Sequence, residues 1–213
     1  PAMPSLEARM VMWWMRWARL RRQRAAQRGG SAAPVPARPS AGLLRRLEIR
    51  ESTLDGQLLY RITAAASAAA PAGRILYLHG GAYVRPINRH HWRFIADLAR
   101  RSGCEIVVPL YPLAPRHNGL SAFRCVASVY RQEADGTLPR ILMGDSAGAG
   151  LAVALAGWLR DHGLPPPRRL LLLSPWLDVA VPHPQALALQ PADPMLSLDG
   201  LRRAGRAYAG ALG

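Results

Sequence analysis

Residues 140–163 read RILMGDSAGAGLAVALAGWLRDHG. A short apolar run ends at Met143, and an alanine-rich stretch of helical character follows. Between them Gly144-Asp145-Ser146-Ala147-Gly148 fits the pattern G-x-S-x-G, which carries chemistry when a strand precedes it and a helix follows. A sharp turn of this kind presses the backbone against its neighbours, so side chains at 144 and 148 would clash. Ser146 is then expected to sit in a strained conformation with its hydroxyl exposed above the strand ends. The helix N-terminus offers partial positive charge to a developing oxyanion, and Ala147 offers its backbone N–H. Asp145 is a poor partner acid, because adjacency on a tight turn sends its side chain elsewhere.

A second stretch, LYLHGGAYV from Leu76 to Val84, ends an apolar run in His79-Gly80-Gly81. Two glycines after a strand let backbone N–H groups approach a ligand closely. Either motif alone also admits the reading of a plain tight turn. Their occurrence on successive alternating strands argues for a shared site.

The surrounding pattern supplies those strands. LLRRLEIRES and QLLYRIT read as two strands joined by the Asp55-Gly56 turn. AAASAAAPAG is a low-complexity connector, after which strand and helix patterns alternate. RILYLHG leads to the helix HHWRFIADLARRSG, and CEIVVPLY to the helix LSAFRCVASVYRQEA. RILMGD precedes the helix of the opening stretch, and RRLLLLSPWLD is the last strand. The later strands are unbroken apolar runs, as parallel strands covered on both faces require. The expected class is α/β, with a sheet antiparallel at its start and parallel afterwards.

The 213 residues carry a net charge of +15, and every one of the 28 basic residues is arginine. Eleven of those arginines fall in the first fifty residues against Glu7 and Glu48, so the charge belongs mostly to the N-terminal arm. No zinc-finger, RNP or helix-turn-helix signature accompanies it, which argues against a nucleic-acid partner. Residues 5–28 read as an amphipathic helix capped by Ser5, with Met10, Trp13, Trp14 and Trp17 on one stripe. One reading is a membrane-surface helix. The reading adopted is a helix laid over a neighbouring apolar surface with its arginine stems outward. GGSAAPVPARPSAG then reads as a linker. Cys104 and Cys125 are too few for a disulfide framework and have no redox or metal spacing, so buried thiols are expected. No metal and no cofactor is expected. No run approaches the roughly 20 apolar residues of a membrane span, and no secretory leader is legible, so a cytoplasmic location is expected.

On these motifs the chain resembles the hormone-sensitive-lipase-like branch of the α/β-hydrolases, bacterial carboxylesterases and lactone hydrolases. LYLHGGAYV resembles that family's oxyanion loop, and GDSAGAGLA its nucleophile elbow. VVPLYPLAPRH, LLLLSPWLDV and DPMLSLDGLRRAGRAYAG are similar to the segments between and after them. The resemblance implies an α/β-hydrolase core from residue 43 to 213, preceded over 1–42 by a basic cap helix and linker. It implies Ser146 as nucleophile, Gly80, Gly81 and Ala147 as oxyanion donors, and His79 as the residue that orients their loop. Tyr83, Tyr111 and Trp176 are candidate walls of an acyl pocket, and a small ester or lactone is the implied substrate. Three departures stand out. Ala82 replaces the third loop glycine, Arg116 stands where the family has an acid, and Asn118-Gly119 breaks a proline pattern. These weaken the expectation of ordinary packing near the elbow.

A triad in this fold runs in the order Ser, acid, His. After Ser146 only His162 and His183 remain. His162 ends the helix that starts at the elbow, roughly 20 Å or more away at about 1.5 Å rise per residue. His183 follows its strand too closely, and Asp178 is expected to be structural. His90, His91 and His117 read as surface or capping residues. The resemblance places acid and base after two further strands, so the chain is expected to be truncated and weakly active at most. The final strand would then be left as an apolar edge. Two other readings are a non-catalytic remnant that binds partners, and an arginine-rich membrane-surface binder. Oligomeric state is not legible.

Overall fold

The structure is a computed structural model that describes residues 5–27, 35–45, 47–65, 70–133 and 140–210. Residues 29–34 of the expected linker, 66–69 of the alanine connector and Ala134 at the expected end of a helix lie outside the described residues.

Six strands form one sheet in the order β1-β2-β4-β3-β5-β6. They are β1 (Leu47–Leu54), β2 (Gln57–Ala64), β3 (Arg74–Leu78), β4 (Glu105–Pro109), β5 (Arg140–Asp145) and β6 (Arg169–Leu173). β1 and β2 form the expected hairpin, turning through Asp55 and Gly56 at φ 50° and 75°. Positive φ at both central residues is what a right-twisted two-residue hairpin needs, and Asp-Gly supplies it. β2 then pairs antiparallel with β4, and β3, β4, β5 and β6 run parallel.

The helices are α1 (Leu6–Gln27), α2 (Ala41–Leu44), α3 (Arg89–Ser102), α4 (Gly119–Gln132), α5 (Ala147–Asp161), α6 (Gln185–Leu189) and α7 (Leu198–Ala209). The unbroken apolar strands feed two cores. Ile75, Tyr77, Ile106, Val108 and Met143 pack with Trp92, Ile95 and Ala99 of α3 on one face. Leu76, Leu78, Val107 and Leu142 pack with Val126 and Val129 of α4 and with Leu151 and Leu155 of α5 on the other. Successive side chains of a strand point to opposite faces, so both sets must be apolar. The outer end of the linker joins the first core, where Trp92 Nε1 donates to the Ala37 carbonyl at 2.6 Å.

β3 is the pivot. The chain leaves it through α3 to β4 on one side, and β5 lies on its other side with β6 beyond. In such sheets ligands bind beyond the carboxyl ends of the strands where the order reverses. Here that place is between Leu78 of β3 and Gly144 of β5, which are paired in register.

Two expectations at the margins turn out differently. Among the described residues no surface covers the apolar stripe of α1: Leu6, Met10, Trp13, Trp14 and Trp17 are 44–74% exposed. Both faces of the central sheet are already covered by α3, α4 and α5, which leaves that stripe facing outward. Asn118 and Gly119, expected to disturb packing, support it instead. Asn118 Oδ1 caps α4 by accepting the Ser121 N–H at 3.1 Å, and a Cβ at Gly119 would stand 2.8 Å from the Tyr208 ring. β6 is the exposed apolar edge that the sequence implied, with Leu170, Leu171 and Leu173 at 38–42%. Among the described residues no helix is long and apolar enough to cross a membrane.

At the opposite end of the sheet from the elbow lies an ion-pair network. Glu133, 3% exposed just past α4, accepts from Arg61 Nη1 of β2 and Arg74 Nη1 of β3, both at 2.9 Å. Arg74 Nε reaches Glu105 of β4 at 2.5 Å, and the Glu133 hydrogen bonds hold the Arg61 guanidinium above its ordinary range. Removing one partner of a buried pair strands the other charge, whereas an exposed pair contributes little. Glu133→Ala should therefore cost about 3 kcal/mol of unfolding free energy in urea titrations. Arg50→Ala, which breaks the exposed Arg50–Glu48 pair, should stay within about 1 kcal/mol.

Candidate active site

The elbow has the geometry its glycines imply. A Cβ at Gly144 would meet the Gly148 backbone at 2.5 Å, and one at Gly148 would overlap the Leu78 carbonyl oxygen at the end of β3. The turn is thus packed backbone to backbone against the neighbouring strand. Ser146 has φ 50° and ψ −116°, a left-handed conformation that costs a residue with a side chain on the order of 1–3 kcal/mol. Three backbone bonds hold it there. Its N–H donates to Leu173 O at 2.9 Å, and its carbonyl accepts from Trp176 N–H at 3.0 Å and Gly150 N–H at 3.1 Å. Its side chain is half-buried at the N-terminus of α5, with no hydrogen-bond partner among the described residues.

The glycine loop after β3 lies beside this turn. Gly80 N–H donates to Asp145 Oδ1 at 2.8 Å, and the same oxygen accepts from Tyr77 OH at 2.6 Å. Asp145 therefore turns away from Ser146 and clamps the loop to the elbow. This bond also corrects the expectation for Gly80. Its one proton is already given to the carboxylate, so Gly80 braces the loop and has no N–H left for a ligand. The N–H groups of Gly81, Ala82 and Ala147 have no partner among the described residues.

His79 is 1% exposed, and its ring stacks on Tyr111 at 4.6 Å between centroids. Its Nδ1 lies 2.7 Å from Gly80 O. A carbonyl can only accept, so Nδ1 carries the proton. Tyr111 OH in turn donates to His79 O at 2.5 Å. Burial pushes the imidazole down to about 4 and the Tyr111 phenol well above its ordinary value. The ring is a neutral brace for the loop.

The three aromatic residues expected to line a pocket behave differently from one another. Tyr83 and Tyr111 are in the core at 3% exposure, Tyr83 stacked on Tyr208 of α7 at 3.7 Å. Tyr83 stacked on Tyr208 and Tyr111 stacked on His79 underpin the loop and do not form an open wall. Trp176 is half-buried and meets Tyr83 at 5.6 Å. The missed residue of this group is Tyr208 of α7, which no motif in the sequence marked.

No histidine ring among the described residues is hydrogen-bonded to Ser146. His162 Nδ1 donates to Trp158 O at 2.9 Å, and His183 Nδ1 accepts from Gln185 N–H at 3.3 Å. Asp178 Oδ1 accepts the Ala180 N–H, a local turn bond that matches its structural reading. Burial pushes the Cys125 thiol up to about 11, away from a nucleophile's range. Among the described residues no three His, Cys, Asp or Glu side chains gather as metal ligands.

The His79 brace makes stability depend on pH. Its unfolded value is 6.5 and its folded value about 4, so the unfolded chain binds the extra proton between them. Stability from this site is complete above about pH 6.5 and is lost as pH falls towards 4, by up to about 3 kcal/mol. Urea midpoints measured across that window should fall on acidification. His79→Gln should flatten the slope.

Comparison with known proteins agrees with this geometry. The chain is 43% identical over 116 residues to LipR of Mycobacterium tuberculosis, covering 53% of this chain and 38% of that one. It is 33% identical over 180 residues to an esterase of Acinetobacter venetianus, covering 80% of this chain and 58% of that one. It thus spans roughly a third to three-fifths of the length of these relatives. A crystal structure of an esterase from the bacterial hormone-sensitive lipase family superposes with a TM-score of 0.77 at 26% identity, over 100% of this chain and 71% of that one. The profile of the α/β-hydrolase fold matches residues 75–213, and with β3, the glycine loop and the elbow all inside that match, the chain belongs to the α/β-hydrolase-fold family, on its hormone-sensitive-lipase-like branch.

Proposed function

We propose that the protein carrying this chain is a serine hydrolase that cleaves carboxylic esters or lactones of small, short-chain substrates through an acyl-enzyme on Ser146. The observation that carries the reading is the strained Ser146 at φ 50°, half-buried at the N-terminus of α5 beside a loop whose Gly81 and Ala82 N–H groups have no partner among the described residues. Strain held by the surrounding structure at an accessible hydroxyl is characteristic of a functional site.

In this mechanism Ser146 Oγ attacks the substrate carbonyl carbon. The carbonyl π electrons move to oxygen, and Gly81 N–H and Ala147 N–H donate to the resulting oxyanion, with Ala82 N–H within the same loop. The positive end of the α5 dipole adds to them. Collapse expels the alcohol and leaves the acyl-enzyme, which water hydrolyses. Such donors act mainly in the transition state, so they raise kcat more than they tighten binding.

The serine proton needs an acceptor, which we place, with its carboxylate partner, in sequence outside these 213 residues. Two observations support this. The chain covers 38% and 58% of the two relatives above, and β6 exposes Leu170, Leu171 and Leu173 along an unpaired edge. Residues 43–213 then form part of a hydrolase core, and residues 1–42 a cap helix and linker.

Hydrolysis of p-nitrophenyl acetate and butyrate by the full-length protein tests the reading. Ser146→Ala should lower kcat by about 10⁴-fold or more while leaving the thermal midpoint nearly unchanged. Turnover that survives this substitution would sink the assignment.

A further inference from the structure

His91 is a residue that the hydrolase reading does not use. It is the third residue of α3, and its Nδ1 accepts the Asn88 N–H at 3.1 Å while Asn88 Oδ1 accepts the His91 N–H at 3.3 Å. This reciprocal cap fixes the ring and its tautomer. With a backbone N–H donating to Nδ1, the proton of the neutral ring is on Nε2. Nε2 faces Asp145 Oδ2 at 3.6 Å, longer than a hydrogen bond but close enough for an N–H dipole to act on a carboxylate. The other oxygen, Oδ1, holds Gly80 and Tyr77. Oδ2 also sits against the Gly80 backbone, where a Cβ would overlap it, so the carboxylate cannot swing without moving the loop. The ring also meets His79, at 5.7 Å between centroids, and the Asn88 cap.

We propose that His91 is a positioning residue for the oxyanion loop: its Nε2–H, aimed by the α3 cap, fixes the Asp145 carboxylate that clamps Gly80 and so sets the height of the Gly81 N–H above Ser146. The proposal rests on the hydrolase reading for its effect on rate. Burial alone would raise the Asp145 carboxyl, yet it is held below its ordinary range because His91, Tyr77 and Gly80 together outweigh that cost. The carboxylate is therefore the stable form, and its orientation depends on donors from three different elements.

The two jobs of His91 can be separated. Glutamate and glutamine are the preferred third residues of a capping box, so either keeps the α3 cap. Only glutamine also offers an N–H to Asp145, whereas glutamate sets a second carboxylate against it. Both variants are made in the full-length protein, and kcat and KM for p-nitrophenyl butyrate are measured beside thermal unfolding. The Gly80 amide proton is followed in ¹⁵N-glycine-labelled samples. His91→Glu should keep its midpoint within about 2 °C, which matches a change under about 1 kcal/mol. Its kcat should fall about tenfold at unchanged KM, as for a displaced oxyanion donor, and the Gly80 amide should shift upfield. His91→Gln should return kcat to within about threefold of the parent and restore the amide position. An unchanged kcat and amide shift in a stable His91→Glu protein overturns the proposal. So does parallel loss of midpoint and kcat in both variants, which would reduce His91 to a helix cap. If the parent shows no turnover that Ser146→Ala removes, the hydrolase reading fails instead, and the Gly80 amide alone decides whether His91 holds the clamp.

Discussion

The turn from β5 into α5 is packed so closely on the end of β3 that no side chain fits between them. Gly148 lies on the Leu78 carbonyl, and Gly144 lies on Gly148 itself. From that contact the rest of the site follows. Ser146 has nowhere to go but the left-handed region, and its carbonyl and N–H are taken by Trp176 and Leu173 from the segment around the end of β6. The strain is therefore distributed over three parallel strands. A hydroxyl held this way cannot relax into a helical or extended conformation without breaking bonds in two neighbours.

The loop after β3 is braced from two directions. His79, neutral and stacked on Tyr111, holds it from below, and Asp145 holds Gly80 from the elbow side. Each brace uses a polar group that burial would otherwise make costly, and each is satisfied by a specific partner. The arrangement leaves particular N–H groups free because others are committed. Tyr83 and Tyr208 add the packing that ties α7 to the same loop. At the far end of the strands the Arg61, Arg74, Glu105 and Glu133 network joins β2, β3 and β4 to the end of α4. The elbow and this ion-pair network thus occupy opposite ends of one sheet.

Two surfaces remain open in this chain. The apolar stripe of α1 faces outward with three tryptophans, and β6 presents an unpaired edge with three exposed leucines. Both are costly to leave in water.

The sequence by itself determined the class of fold, the hairpin at Asp55-Gly56, the cap at Ser5, and the place of Ser146 at a strand-to-helix turn. Those features rest on local physics. Period-two or unbroken apolar runs, turn residues with positive φ, and caps within one turn of their helix are all legible in a few neighbouring letters. What only the tertiary structure decided was which of the local candidates met. Gly80 looked as available as Gly81 until the side chain of Asp145, sixty-odd residues on, took its proton. Tyr83 and Tyr111 looked like pocket walls until other rings covered them, and His91 looked like a surface or capping residue until α3, whose cap it does complete, also delivered it to the elbow. A hydrogen bond has one donor and a buried face one occupant, and such exclusive choices between distant residues leave no periodic trace in the chain that makes them.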